Sequence, residues 1–231
     1  MKDLIKFVKM MKYSLQAKMI TILAIIFFVI GIFFEFTDFG RGSMFSLAAL
    51  YMALTSMYFY QMVFTTTVSR MVQTSPYKKK LQTSGPAIIT LITSLIAFTL
   101  YTVIRCVRMT PEFVEENEIT WAQAYAPIFF MAVSIFVFMV YLGISYKSFI
   151  FSLVLIAVSV GGLMFLGEQD SMFESITEKL LVDNGPVLLI VVSYGIIVIS
   201  AVVAYVLSVL LYKKDISEAA VRYALRQAQS K

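Results

Sequence analysis

Three groups of residues in this chain can do chemistry, and none of them is a catalytic set. The first is an acid and a base, Glu35 and Arg105, standing at the ends of two apolar stretches. A charged side chain near the bilayer centre costs at least a few kcal/mol on insertion scales. At the rim of a span two such groups either pair with each other or snorkel to the headgroup layer. The second group is polar: Tyr51, Thr55, Tyr58, Thr65 and Ser69 share one face of a helix, with Gln61 and Tyr60 on neighbouring stripes. Hydroxyls so spaced either bond neighbouring helices, at about 0.5–1 kcal/mol each, or line a path through the membrane. The third is QTSPYKKKLQTSGP, running from Gln73 to Pro86, three consecutive lysines between two prolines.

Catalytic templates are missing. There is no G-x-x-x-x-G-K-[ST] loop, so the chain cannot bind ATP in the P-loop manner, and no G-x-S-x-G elbow or H-E-x-x-H pair. Histidine is absent and Cys106 is the only cysteine, so a disulfide within one chain is impossible and a metal site would have carboxylates alone. No carboxylate or lysine falls at mid-span, which argues against a proton relay.

The elements that carry these groups are set by composition. Of 231 residues, 60% are apolar and 14% charged, with a mean hydropathy of +0.85. That balance belongs to an all-α integral membrane protein. The net charge of +5 reads as a cytoplasmic membrane face rather than as nucleic-acid binding. A hydrocarbon core about 30 Å thick takes roughly 17–25 helical residues to cross. Six stretches approach that length: 19–36, 44–68, 87–105, 126–145, 149–166 and 187–211, together a transmembrane domain over 19–211. The third and sixth spans begin after Gly85-Pro86 and Gly185-Pro186, with proline in the first turn, where its missing N–H costs least. Only Ser-Tyr-Lys-Ser separates the fourth and fifth, which predicts a tight antiparallel hairpin. The first apolar run is longer than a secretory signal core and lacks a small-residue cleavage pattern, so it is read as a mature helix.

Six spans place both termini on one side, and charge selects the cytoplasm. In that orientation only Arg41, Arg105, Arg108 and Lys179 of the 19 basic residues lie outside, and only Asp3, Asp215 and Glu218 of the 14 acidic residues lie inside. The lysine run is therefore expected in a cytoplasmic loop, and residues 212–231 in a cytoplasmic tail. Residues 1–18 form an amphipathic interfacial helix in this reading, with Leu4, Phe7, Val8, Met11 and Leu15 opposite Lys2, Lys6 and Lys9. Two outer segments are acidic, 106–125 and 167–186. In the second, Met172, Phe173, Ile176, Leu180 and Leu181 recur at helical spacing, which predicts a short amphipathic helix before the last span. Their acids either solvate an exterior loop or rim an outer gate for a cationic substrate.

This order of parts resembles the permease subunit of type-2 ATP-binding-cassette (ABC) exporters, among them small bacterial permeases linked to peptide export. The resemblance covers nearly the whole chain. Its sharpest local element is SRMVQTSPYKKKLQTSGP, similar to the Ser/Leu-Pro-x-x-Arg/Lys-Lys stretch that many bacterial members carry after their second span. The resemblance implies a coupling helix over 70–82, with Gln73, Thr74, Ser75, Pro76, Tyr77, Lys78, Lys79 and Lys80 contacting a separate cytoplasmic ABC ATPase. Thr74 or Ser75 would cap it, with Pro76 at its first position. It also implies a second permease copy, in a homo- or heterodimer, with the path between the two, here touching Tyr51, Thr55, Tyr58, Gln61 and Thr65. ATP and Mg would sit in the partner, leaving this chain without cofactor or catalysis, in a bacterial cell membrane. The chain lacks the large extracellular domain and fused ATPase of bigger members. The expected cargo is amphipathic or hydrophobic, with a cationic antimicrobial or cytolytic peptide favoured by the acidic outer face. The competing reading is a non-transporting immunity or scaffold protein whose basic face holds anionic lipid.

Overall fold

The computed structural model describes residues 17–37, 46–67, 74, 78–145, 147–168, 171–181 and 186–222. The amphipathic segment expected over 1–18 lies almost wholly outside them. Among the described residues the chain is all-helical: α1 Ala17–Thr37, α2 Leu47–Thr67, α3 Lys78–Gln82, α4 Ser84–Arg108, α5 Pro111–Glu116, α6 Trp121–Ser145, α7 Phe149–Glu168, α8 Ser171–Leu181 and α9 Pro186–Leu210. Four segments, Lys18–Thr37, Lys78–Arg108, Trp121–Ser145 and Pro186–Lys213, are long and apolar enough to cross a membrane.

Helix α6 is the centre. It packs against α2, α4, α7, α8 and α9, while α1 lies at the periphery on α2. Its interior residues Ile128, Met131, Ala132, Ile135 and Met139 are buried almost completely. The outer surface is more apolar than the interior contacts require. On α4, Ile88, Ile92, Ile96, Leu100, Val103 and Val107 form an exposed stripe at spacings of three and four, whereas the opposite face buries Thr90, Ser94, Ala97, Tyr101 and Thr102. An apolar exterior over a small and polar interior suits hydrocarbon as solvent.

Small residues bring the helices together. On α9, Ser193, Ser200, Ala201, Ala204 and Ser208 are all buried on one face. Gly143 of α6 meets that face: a Cβ there would stand 3.2 Å from the Ala204 carbonyl oxygen and 3.3 Å from the Ala204 Cα. Gly31 does the same for α1 and α2, lying against Ala48 and Met52. Without a hydrophobic drive between helices in lipid, such close approach is the main source of cohesion.

The helices extend past the apolar stretches read from the sequence. α6 begins at Trp121, not Ala126, because Thr120 and Gln123 close a capping box: the Gln123 N–H donates to Thr120 Oγ1 at 3.2 Å and the Thr120 N–H to Gln123 Oε1 at 3.1 Å. α4 runs on to Arg108, and α5 follows after Thr110, whose Oγ1 accepts the Phe113 N–H at 3.3 Å with Pro111 at the first position. α5 ends in a Schellman motif, with Ile119 N–H on the Val114 carbonyl, Glu118 N–H on that of Glu115, and Glu118 at φ 53°. The helix before α9 runs Ser171–Leu181, and residues 146–148 alone separate α6 from α7.

Candidate functional site

One end of the bundle gathers lysines. α3 is only five residues long, KKKLQ, and a single turn residue, Thr83, joins it to α4. Thr83 Oγ1 donates back to the Lys79 carbonyl at 2.8 Å, which ties the two helical segments. Leu81, Gln82 and Thr83 are buried while Lys79 and Lys80 are exposed. Tyr212, just beyond α9, has the Lys79 ammonium 6.0 Å and the Lys147 ammonium 5.9 Å from its ring centroid, within the range of cation–π attraction. Lys147 Nζ also donates to the carbonyls of Tyr212, at 3.3 Å, and of Lys214. Lys214 Nζ in turn donates to Ser148 Oγ at 2.8 Å. The α3 lysines, the α6–α7 turn and the end of α9 thus form one cluster.

Of the residues proposed for coupling, Lys78, Lys79 and Lys80 belong to this cluster's helix and Thr74 is an exposed turn residue. Gln73, Ser75, Pro76 and Tyr77 lie outside the described residues. The sequence reading passed over Lys147 and Tyr212. The signal was there for Lys147, the one charge in the four-residue turn between two apolar helices.

Burial pushes the Lys147 ammonium below the ordinary lysine value of 10.5, repulsion from Lys78 adds to this, and Asp215 partly opposes it. The folded chain therefore holds that proton less tightly than the unfolded chain. Stability contributed at this site rises with pH as pH climbs from the folded value toward the unfolded one. In thermal melts, wild type should gain Tm relative to Lys147→Met as pH rises toward the ordinary lysine value of 10.5. A constant difference would show that Lys147 titrates as a solvated lysine.

The hydroxyl face of α2 turns toward α1. Tyr51 stacks on Phe34 with centroids 5.5 Å apart and planes at 6°, and Phe27 lies between Tyr51 at 5.5 Å and Tyr58 at 4.9 Å. Thr55 is buried, and its Oγ1 donates to the Tyr51 carbonyl at 3.3 Å. The side chains of Gln61 and Thr65 lie outside those described. The described part of the face is thus an aromatic ladder between α1 and α2.

At the opposite end the structure joins Glu35 and Arg105. Arg105 Nη1 donates to Glu35 Oε1 at 2.8 Å, with the acid 1% and the base 13% exposed. Glu35 falls on the inner stripe of α1 with Ile20, Ala24 and Gly31, so helical periodicity turns it inward rather than to lipid. Arg105 Nε donates to the Ala124 carbonyl at 2.8 Å. Arg108, three residues on, donates to the Glu35 carbonyl at 2.6 Å and lies 4.3 Å over the Phe36 ring. The Tyr101 hydroxyl, fully buried beside this pair, shares a 3.3 Å hydrogen bond with Ser46 Oγ, which caps α2 by accepting the Ala49 N–H. Arg108 and Tyr101 were legible only by spacing, one turn to either side of Arg105 on α4.

The same end carries an open groove of about 640 Å³ between the start of α6, the end of α8 and the start of α9, lined by Trp121, Tyr125, Glu178, Leu181 and Pro186 among others. Among the described residues, no group of three or more His, Cys, Asp or Glu could hold a metal ion. The charge knot binds helices to one another, the groove is open to ligand, and the lysine cluster faces away from both. No protein-family model, curated protein or solved structure matches the chain.

Proposed function

We propose that this chain is the permease subunit of an ATP-driven exporter, working as a dimer with separate cytoplasmic ATPases. The observation that carries this is the helix Lys78–Gln82, a basic segment joined to α4 by one residue and seated against Tyr212 at the end of α9. In the six-span reading α2 and α7, of 21 and 20 residues, cross the membrane with the four segments named above. Both termini and the lysines then face the cytoplasm, as the charge bias favours. A chain without a nucleotide-binding loop needs such a contact to draw on ATP. Movement of α3 by a closing ATPase would pass directly into α4, with the energetic coupling reciprocal between the two proteins.

The test is purification of the tagged chain from its own host membrane. An ABC ATPase subunit should co-purify with ATP hydrolysis stimulated by the permease. Tyr77→Ala combined with Lys78, Lys79 and Lys80→Ala should reduce both by about tenfold or more, with the variant still inserted. Co-purification unchanged by these substitutions would sink the coupling assignment. One observation favours the competing non-transporting reading: Tyr51 and Tyr58 are engaged by Phe27 and Phe34 of the same chain rather than free to line a path. In that case no ATPase co-purifies at all.

A further inference from the structure

We propose that the groove at the acidic end binds a cationic amphipathic peptide segment, its ammonium or guanidinium on Glu178 and its apolar side chains on the Trp121–Tyr125 stack. The two rings stack at 5.9 Å with planes 10° apart. Tyr125 is buried and serves as the backing, while Trp121 is 45% exposed and presents its indole to the groove. The capping box of Thr120 and Gln123 fixes the first turn of α6, so the indole stands on a rigid element. Leu181 and Pro186 supply the apolar wall opposite. Glu178 is exposed, and no hydrogen bond or ion pair engages it among the described residues.

These parts select a ligand by chemistry. An aromatic face attracts cations as well as apolar groups, and the Glu178 carboxylate beside it sets the sign of the charge. The groove falls in the size range of ligand sites, with room for a few side chains rather than a folded domain. The exposed acids of α5 and its cap, Glu112, Glu115, Glu116 and Glu118, would draw cations toward this end of the molecule. An anionic ligand would be repelled by that carboxylate, and a purely apolar one would leave it without a counter-charge.

This deepens the export reading by naming the substrate class at its exit side, and it can be measured without an ATPase. Trp121 is the only tryptophan in the chain, so its fluorescence reports the groove alone. The full chain in nanodiscs of uncharged phosphatidylcholine is titrated with a short Leu/Lys peptide free of tryptophan and tyrosine, and separately with its Leu/Glu counterpart. The Leu/Lys peptide should give a saturable shift of Trp121 emission, about tenfold or more weaker in Glu178→Gln and unchanged in Glu112→Gln. No shift, an equal shift with the Leu/Glu peptide, or equal affinity in Glu178→Gln would overturn the proposal. Loss of ATPase co-purification with this titration intact would sink the export reading alone.

Discussion

Replacing Glu35 by alanine should lower the unfolding free energy by about 3–5 kcal/mol, the range found when one partner of a buried ion pair is removed. Glu35 is 1% exposed and its partner Arg105 13%, so water cannot take over the charge that is left. Two guanidiniums crowd this corner. Arg105 keeps its bond to the Ala124 carbonyl and Arg108 its bond to the Glu35 main chain, and the Glu35 carboxylate is what balances them. Removing it leaves positive charge in a low-dielectric site beside the buried Tyr101. Glu35→Gln keeps the shape and should cost less than alanine. The double variant Glu35→Ala with Arg105→Met should recover a large part of the loss, since it removes the orphaned charge. The measurement is reversible unfolding in mixed micelles of a mild detergent and a denaturing one. A cost under about 1 kcal/mol for Glu35→Ala would mean that the pair is solvated and behaves as a surface bridge.

Gly143→Leu should be nearly as damaging, at about 3 kcal/mol, the upper end of overpacking penalties. The reason is what the new side chain would strike. At 3.2 and 3.3 Å a Cβ meets the carbonyl oxygen and Cα of Ala204, main-chain atoms of α9 that cannot rotate aside, and Leu207 Cβ lies at 3.4 Å. The whole of α9 would have to withdraw from α6, exposing the buried serine and alanine face. Gly195→Leu provides the contrast. Nothing lies within 4 Å of a Cβ at that position of α9, so the substitution only adds an apolar side chain to an outer face. Unfolding of both variants in the same micelles, with equal losses, would show that helix propensity rather than packing governs the effect.

The sequence revealed the helices far more readily than their ends or their partners. Each apolar stretch became a helix, the element in which a segment's backbone satisfies its own hydrogen bonds without water. The ends were moved by local polar chemistry that a hydropathy window averages away: the Thr120–Gln123 box started α6 before its apolar run, and Thr110-Pro111 opened a separate α5. Pairing was harder. Glu35 and Arg105 are 70 residues apart, and only the packing of α1, α2, α4 and α6 decides between a buried pair and two snorkelling side chains. The stripe Ala24, Gly31, Glu35 held part of that answer, since small residues mark the face that packs. Lys147 and Tyr212 depended on the α6–α7 turn meeting the end of α9, a contact with no local pattern. The groove needed distant elements as well, the start of α6 and the facing ends of α8 and α9.

The run from Lys78 to Arg108, 31 residues, is α3 and α4 joined at Thr83, about 45 Å of helix at 1.5 Å per residue. Lysines sit at its first turn and Arg105 and Arg108 at its last. In the export reading, a force on the lysine end would reach the carboxylate of Glu35 through Thr83 and α4. A tilt of roughly 5° about the first turn would carry the far end about 4 Å, more than the length of the Arg105–Glu35 bond. The molecule has, in two helices joined by one residue, a handle at one end of the bundle and the bolt it would draw at the other.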